Sequence, residues 1–312
     1  MCTRIFWNTP QIAKVVGRTC DWETSDEPLL WHFPRGLERN GLVDNAATWT
    51  TKYRSLATTF WGAGSSEGIN EAGLSAHLLY LASSDFGARD GRPGCGFNLW
   101  AQYALDNFAT VAEAIDGLEE IQIVQIQVRG RDIGVHLALE DPSGDSAIIE
   151  ILDGQAVVHH SVETRVMAND PPYNEQLENL SRYKPFGGNE TLPGDIISDQ
   201  RFVRATYYLS HLPEPADELQ AVAGVLGIAR NVSVPFGAPY DDFVVYPTWW
   251  ASVTDVTNRG YYFQSTLAPN VIWAEIDSPS LVDSNEVLSL DPTNVELVGD
   301  VSSKYQPTNA PF

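Results

Sequence analysis

The chain predicts a mixed α+β fold built from antiparallel sheets faced by helices. Three observations carry this reading: short β-branched and aromatic segments crowd the first third, helical spacing dominates two middle stretches, and strands return near the end. Regular alternation of single strands and helices, which would signal a parallel sheet, is missing.

In the first third, Thr3–Trp7, Ile12–Gly17, Leu29–Phe33, Tyr53–Trp61 and Leu74–Leu81 read as strands. Asn8-Thr9-Pro10 and the run Gly68 to Gly73 supply hairpin turns between them. Helical spacing runs from Leu99 to Phe108, and Thr110 caps a second helix carrying Val111, Ala114, Ile115 and Leu118. Strands resume at Ile121–Val128, Val135–Leu139, Ala147–Leu152, Ala156–His160 and Arg165–Ala168. After Pro171-Pro172 come helices near Glu175–Tyr183, Arg201–Leu212 and Ala216–Ala229, then strands at Thr248–Thr254, Tyr261–Ser265 and Val271–Ile276. No repeat, linker or composition break divides residues 1–312, so a single catalytic domain is expected, with a Pro-containing tail from about residue 290.

With 43% hydrophobic residues, the 312-residue chain has ample material for a packed core. Its formal charge of −22 repels phosphate backbones and anionic membrane surfaces, which argues against nucleic acid or membrane as partner. Dinucleotide-binding and P-loop patterns are absent. Three cysteines, Cys2, Cys20 and Cys95, make neither a disulfide framework nor a zinc pattern. His159 and His160 alternate along a strand and cannot face one metal, while His32, His77, His136 and His211 read as isolated packed or surface residues. No cofactor and no metal are expected. The first twenty residues hold no apolar stretch of signal-peptide length. A cytoplasmic location follows if Met1 is the native start, and a periplasmic or secreted one if an export leader preceded Cys2.

Cys2 directly follows the initiator methionine, and Arg18 and Asp21 lie within the next twenty residues. Methionine is ordinarily trimmed before a residue as small as cysteine, leaving thiol and free α-amine on one residue. The amine titrates at about 7.7–8.0 and is largely available as a base near neutrality. The thiol, at about 8.5 when unperturbed, is pulled down by a nearby cation such as Arg18. Nucleophile and base would then be a few bonds apart.

Further motifs extend this pattern: Cys2-Thr3-Arg4, Gly17-Arg18-Thr19-Cys20-Asp21-Trp22, Glu67 to Leu74, Asp145 to Glu150, Asn169-Asp170-Pro171-Pro172-Tyr173, Leu192-Pro193-Gly194-Asp195, Arg201-Phe202-Val203-Arg204 and Asn231 to Pro235. In this order, over nearly the whole chain, they resemble the choloylglycine hydrolase family of N-terminal nucleophile hydrolases. That family holds conjugated bile acid hydrolases and penicillin V acylases. The resemblance implies a four-layer αββα sandwich and hydrolysis of linear amides without a cofactor. It also implies a small-molecule amide as substrate and a homo-oligomer, usually a tetramer.

Residue by residue, the resemblance implies Cys2 as nucleophile, Arg18 as the cation beside it, Asp21 as the carboxylate holding the amine, Asn169 as side-chain donor to the oxyanion hole and Arg201 as the arginine near the nucleophile. Taken alone, Asp21 would be a strand-end turn carboxylate, Arg18 its ordinary ion-pair partner, Asn169 a turn residue and Arg201 a helix arginine. Tyr80 stands where bile acid hydrolases carry asparagine, so its backbone N–H would be the second oxyanion donor and its ring part of the pocket wall. Trp22 also resembles the acyl-pocket tryptophan of the Gram-negative penicillin V acylases. The segment from Asn169 to Pro193 is short beside the assembly loop of bile acid hydrolases. These departures favour flat aromatic or straight acyl chains, and the resemblance of that branch to acylases of N-acyl homoserine lactones extends the expectation to such lactones, hence to quorum quenching. Conjugated bile acid hydrolysis, an inactive binding protein on the same fold and a Cys2–Cys20 redox pair are the alternatives.

Overall fold

The computed structural model describes residues 1–9, 12–241 and 244–312. The amino-terminal hairpin joins β1 (Cys2–Asn8) to β2 (Lys14–Asp21), and β3 (Leu29–Phe33), β4 (Ser55–Phe60), β5 (Gly64–Asn70) and β6 (Ser75–Tyr80) follow. Next come α1 (Trp100–Asn107), α2 (Val111–Asp116), β7 (Val135–Glu140), β8 (Ser146–Leu152), β9 (Gln155–His160) and β10 (Val166–Met167). Helices α3 (Tyr173–Leu180), α4 (Ser198–Leu209) and α5 (Glu218–Val232) precede β11 (Thr248–Asp255), β12 (Gly260–Ser265) and β13 (Ile272–Glu275). The chain ends with β14 (Leu288–Leu290), β15 (Gly299–Asp300) and β16 (Gln306–Pro307).

Two large sheets result, ordered β10-β1-β2-β11-β12-β13-β15 and β9-β8-β7-β6-β5-β4-β3-β14-β16. Helices α4 and α5 pack on the first sheet and α1 on the second, which makes the four layers αββα. Close contact has a local cause at Gly17, where a Cβ would lie 2.4 Å from Val225 of α5. Period-two alternation decides which side chains meet where. In β2, Arg18 and Cys20 face the second sheet, whereas Thr19 and Asp21 face the helices.

The structure corrects several sequence expectations. Gly68, Ile69 and Asn70 belong to β5, and the turn begins at Asn70, whose Oδ1 accepts from the N–H groups of Ala72 at 3.0 Å and Leu74 at 3.1 Å. The Ile121–Val128 segment divides into two short strands, Gln122–Val124 and Gln127–Val128. Residues beyond 290 pair with both sheets: β15 joins one, β16 the other, and Tyr305 is buried. Thr110 caps α2 as expected, accepting from the Glu113 N–H at 3.2 Å. The expected turn at Asn8-Thr9-Pro10 lies partly outside the described residues. Among the described residues no helix is long and apolar enough to cross a membrane.

Candidate active site

Cys2 opens an inner strand, and its sulfur faces the gap between the sheets. Arg18 Nη2 stands 3.5 Å from Cys2 Sγ. The guanidinium is held from behind by the Ser66 carbonyl at 2.6 Å and by Glu67 at 3.4 Å, and it stacks over Trp250 at 5.2 Å. Burial works against ionisation of the Cys2 thiol, yet hydrogen bonding from Cys20 and the charges of Arg18 and the amino terminus hold it well below the ordinary thiol range. Arg18→Gln removes the strongest cation from this balance. Its thiolate titration, followed by ultraviolet absorbance, is expected to move to higher pH than in the wild type, and an unchanged titration would show that Arg18 is not what ionises the sulfur.

Arg18 does not pair with Asp21, as a plain ion pair would require. Three positions apart on one strand, the two side chains lie on opposite faces. Asp21 turns to the helix side, where Thr248 Oγ1 donates to it at 2.6 Å and Arg201 Nη1 lies 3.5 Å away. Burial pushes its carboxyl up to about 6, with Arg201 and the amino terminus opposing.

Arg201 is fully buried and ties the remaining parts together. It donates to the Cys2 carbonyl at 2.7 Å, to Asn169 Oδ1 at 2.8 Å and to the Ile196 carbonyl at 2.8 Å. Asn169 Oδ1 also accepts the Cys2 backbone N–H at 2.7 Å. With two donors on its oxygen, the Asn169 side chain must point its NH₂ the other way, and Nδ2 donates to the Tyr80 carbonyl at 2.6 Å. One N–H of that amide remains for another acceptor. Asn169 is itself anchored by its N–H to Ser198 Oγ at 2.8 Å and by Gln176 Nε2 to its carbonyl at 3.0 Å.

Tyr80 pairs with Val135 across β6 and β7, and the neighbouring Leu81 N–H bonds the Gly134 carbonyl. The Tyr80 pair is therefore the non-hydrogen-bonded kind, and both backbone groups of Tyr80 point away from β7, toward the Asn169 edge. Its ring lies 5.5 Å from that of Trp22, edge to face.

Cys2, Arg18, Cys20, Trp22, Phe60, Trp61, Leu78, Leu79, Tyr80, Phe97, Ile133 and Val135 line an apolar pocket at the sulfur. A second cleft, adjoining the first at Trp22 and Tyr80, is lined also by Met1, Asn169, Tyr240 and Tyr246. Met1 is buried there, and its amine donates to the Asp21 carbonyl.

The structure thus brings Cys2, Arg18, Asp21, Asn169, Arg201, Tyr80 and Trp22 to one place. Phe60, Trp61, Phe97, Ile133 and Val135 went unnoticed in the sequence, although the alternation of Leu78 with Tyr80 and of Ile133 with Val135 marks one face of each strand. His77 is not isolated: it lies between Glu67 at 3.2 Å and Glu140 at 3.4 Å, and Glu140 pairs with Arg4. His159 and His160 do part company, bonding Glu150 at 3.1 Å and Asp145 at 2.8 Å. Trp250 and Tyr261 are buried core residues that also serve this region, since Tyr261 donates to Glu67.

Comparison with known proteins agrees with this geometry. The chain is 34% identical to a penicillin V acylase of Pectobacterium atrosepticum, an alignment covering 100% of this chain and 91% of that protein. The structure of a penicillin V acylase from Agrobacterium tumefaciens superposes with a TM-score of 0.90 at 36% identity, covering 99% of this chain and 98% of that one. A conjugated bile acid hydrolase from Clostridium perfringens, 20% identical, shares the fold with a TM-score of 0.78 over 96% of this chain and 98% of its own. The family model of linear amide C–N hydrolases, choloylglycine hydrolase family, matches residues 2–290 and so starts at the cysteine whose sulfur, cation and carboxylate have just been placed. An N-terminal nucleophile fold with cysteine at the head of an inner strand completes the case: the chain belongs to the choloylglycine hydrolase family and hydrolyses linear amide C–N bonds.

Proposed function

We propose that this amidohydrolase is of the penicillin V acylase type, acting on aromatic and straight-chain acyl amides, N-acyl homoserine lactones included. One observation carries the reading: the sulfur of Cys2 opens into a pocket walled by Trp22, Phe60, Trp61, Tyr80 and Phe97, a slot for a flat ring or a narrow alkyl chain. Penicillin V acylases among the similar proteins support it.

In this proposal Met1 is removed, and the freed amine of Cys2 stays beside Asn169 Oδ1 and within reach of Asp21. The amine takes the thiol proton, and the sulfur attacks the amide carbonyl. Charge on the carbonyl oxygen is met by the remaining Asn169 N–H and the Tyr80 backbone N–H. The amine then protonates the leaving nitrogen, which departs through the cleft that Met1 lines, and water hydrolyses the thioester by the reverse proton path. Arg18 keeps the sulfur ionised. Arg201 holds Asn169 and the Cys2 carbonyl in register.

Steady-state assays on penicillin V, an acyl homoserine lactone series and glycocholate test the substrate class. The expected kcat/KM for penicillin V and for acyl lactones exceeds that for glycocholate by at least about tenfold, a difference of roughly 1.4 kcal/mol. Preference for glycocholate would replace this reading with bile acid hydrolysis. Tight binding with no turnover of any amide would indicate a binding protein.

A further inference from the structure

Beyond its hydrogen bond to the Cys2 sulfur, Cys20 takes no part in the bond-making steps above, yet it faces the nucleophile directly. Strand register pairs Cys2 with Cys20. Their neighbours Met1 and Asp21 exchange backbone hydrogen bonds in both directions, so Cys2–Cys20 is a non-hydrogen-bonded pair. The Cys2 N–H confirms this by pointing away from β2, to Asn169. In such a pair the Cα atoms stand about 4.5 Å apart with both side chains on one face. That separation falls inside the span of about 4.4–6.8 Å that a disulfide bridges. Both sulfurs line the same pocket, Cys2 being 5% and Cys20 7% exposed. The third cysteine, Cys95, is 0% exposed and lines neither the pocket nor the cleft. Asp26 completes the arrangement, with Oδ2 lying 3.6 Å from Cys20 Sγ.

We infer that Cys20 is a resolving cysteine, which captures an oxidised Cys2 as a reversible Cys2–Cys20 disulfide and so protects the nucleophile from irreversible oxidation by hydroperoxides. In the first step the Cys2 thiolate attacks a hydroperoxide oxygen. The O–O bond breaks, two electrons pass from sulfur to peroxide, and sulfenic acid forms while the alcohol or water leaves. In the second step Cys20 gives its proton to Asp26, its sulfur attacks the Cys2 sulfur, and the S–O bond breaks as hydroxide departs and is protonated to water. The sum is two thiols and one hydroperoxide giving one disulfide, one water and one alcohol or second water. A dithiol reverses it by exchange.

Electrostatics favour this order. While Cys2 is a thiolate, its hydrogen bond with Cys20, burial and the Asp26 charge keep the Cys20 thiol protonated, well above its usual range. Sulfenic acid formation removes the negative charge on Cys2, and Cys20 is released to react.

The inference needs Cys2 to be a reactive thiolate but is independent of which amide is cleaved, and its test therefore reads mass as well as activity. Purified protein is treated with an excess of hydrogen peroxide, more than the roughly two equivalents that sulfinic acid consumes, and its intact mass and peptide map are taken without reductant. The expected product is lighter by about 2 Da, carries the amino-terminal peptide linked to the Cys20 peptide, and regains its activity in dithiothreitol. Cys20→Ser and Cys20→Ala, treated identically, are expected to gain about 32 Da as sulfinic acid and to recover little of their own starting activity. Wild-type protein that goes to sulfinic acid with no linked peptide would overturn the inference, as would Cys20 variants that recover as fully as the wild type.

Discussion

Cys2→Ala is expected to lower kcat by at least about four orders of magnitude while leaving the fold intact. Every structural contact of Cys2 outside the sulfur is made by its backbone: the N–H to Asn169 and the carbonyl to Arg201. Alanine keeps these contacts, and the truncation removes one buried atom from the rim of an open pocket. Thermal unfolding and circular dichroism should therefore stay close to the wild type, while single-turnover assays show no acyl-enzyme. Cys2→Ser should fall nearly as far. A hydroxyl is a far weaker acid than a thiol, and the arrangement around Arg18 that ionises sulfur does not reach it. Residual activity within tenfold of the wild type in either variant would place the nucleophile elsewhere.

A chain that retains Met1 is expected to be inactive as well, for two separable reasons. The peptide bond turns the Cys2 amine into an amide N–H, which accepts no proton, and loss of a general base alone costs about 10²–10⁴ in rate. Met1 also walls the cleft beside Tyr80 and Asn169 through which the leaving group departs, and narrows it. Protein made with methionine aminopeptidase inhibited provides the comparison. Treating it afterwards with the aminopeptidase should restore turnover in proportion to the Met1 removed.

Legibility in the sequence followed the physics of each segment. Leu29–Phe33 is legible to the residue because an apolar β-rich run ends at Pro34. Strand β5 escaped because its sequence, Gly64-Ser65-Ser66-Glu67-Gly68, looks like a turn. It is a central strand nonetheless, because Glu67 is neutralised by Arg18, His77 and Tyr261. That pairing holds the Glu67 carboxyl down near about 2 despite its burial, through the hydrogen bond of His77 and the charge of Arg18. No local pattern announces a carboxylate whose partners lie 49 positions before and 194 after it. The carboxy-terminal strands were hidden for a related reason. Pro307 sits on the outermost strand, where a missing N–H costs little, so a segment that reads as a tail still pairs.

The site divides the same way. Cys2, Arg18 and Asp21 were visible because they share one hairpin and the chemistry of an amino terminus. Asn169 and Arg201 became visible only through the ordered family motifs, since an asparagine before Asp-Pro-Pro and an arginine in a helix each have ordinary explanations. What the motifs left unsaid was the division of labour. Strand alternation sends Arg18 to the sulfur and Asp21 to the helix side, so the two never pair. Pocket residues such as Phe97 and Ile133 converge only through the tertiary fold.

The account rests on one residue supplying both sulfur and base. Active-site titration with a slow acyl substrate, paired with intact mass on the same samples, tests this directly across preparations containing graded fractions of Met1. The burst of released amine should equal the fraction of chains that begin at Cys2, with the acyl mass found on trimmed chains alone. Acyl-enzyme forming equally on chains that still carry Met1 would contradict it.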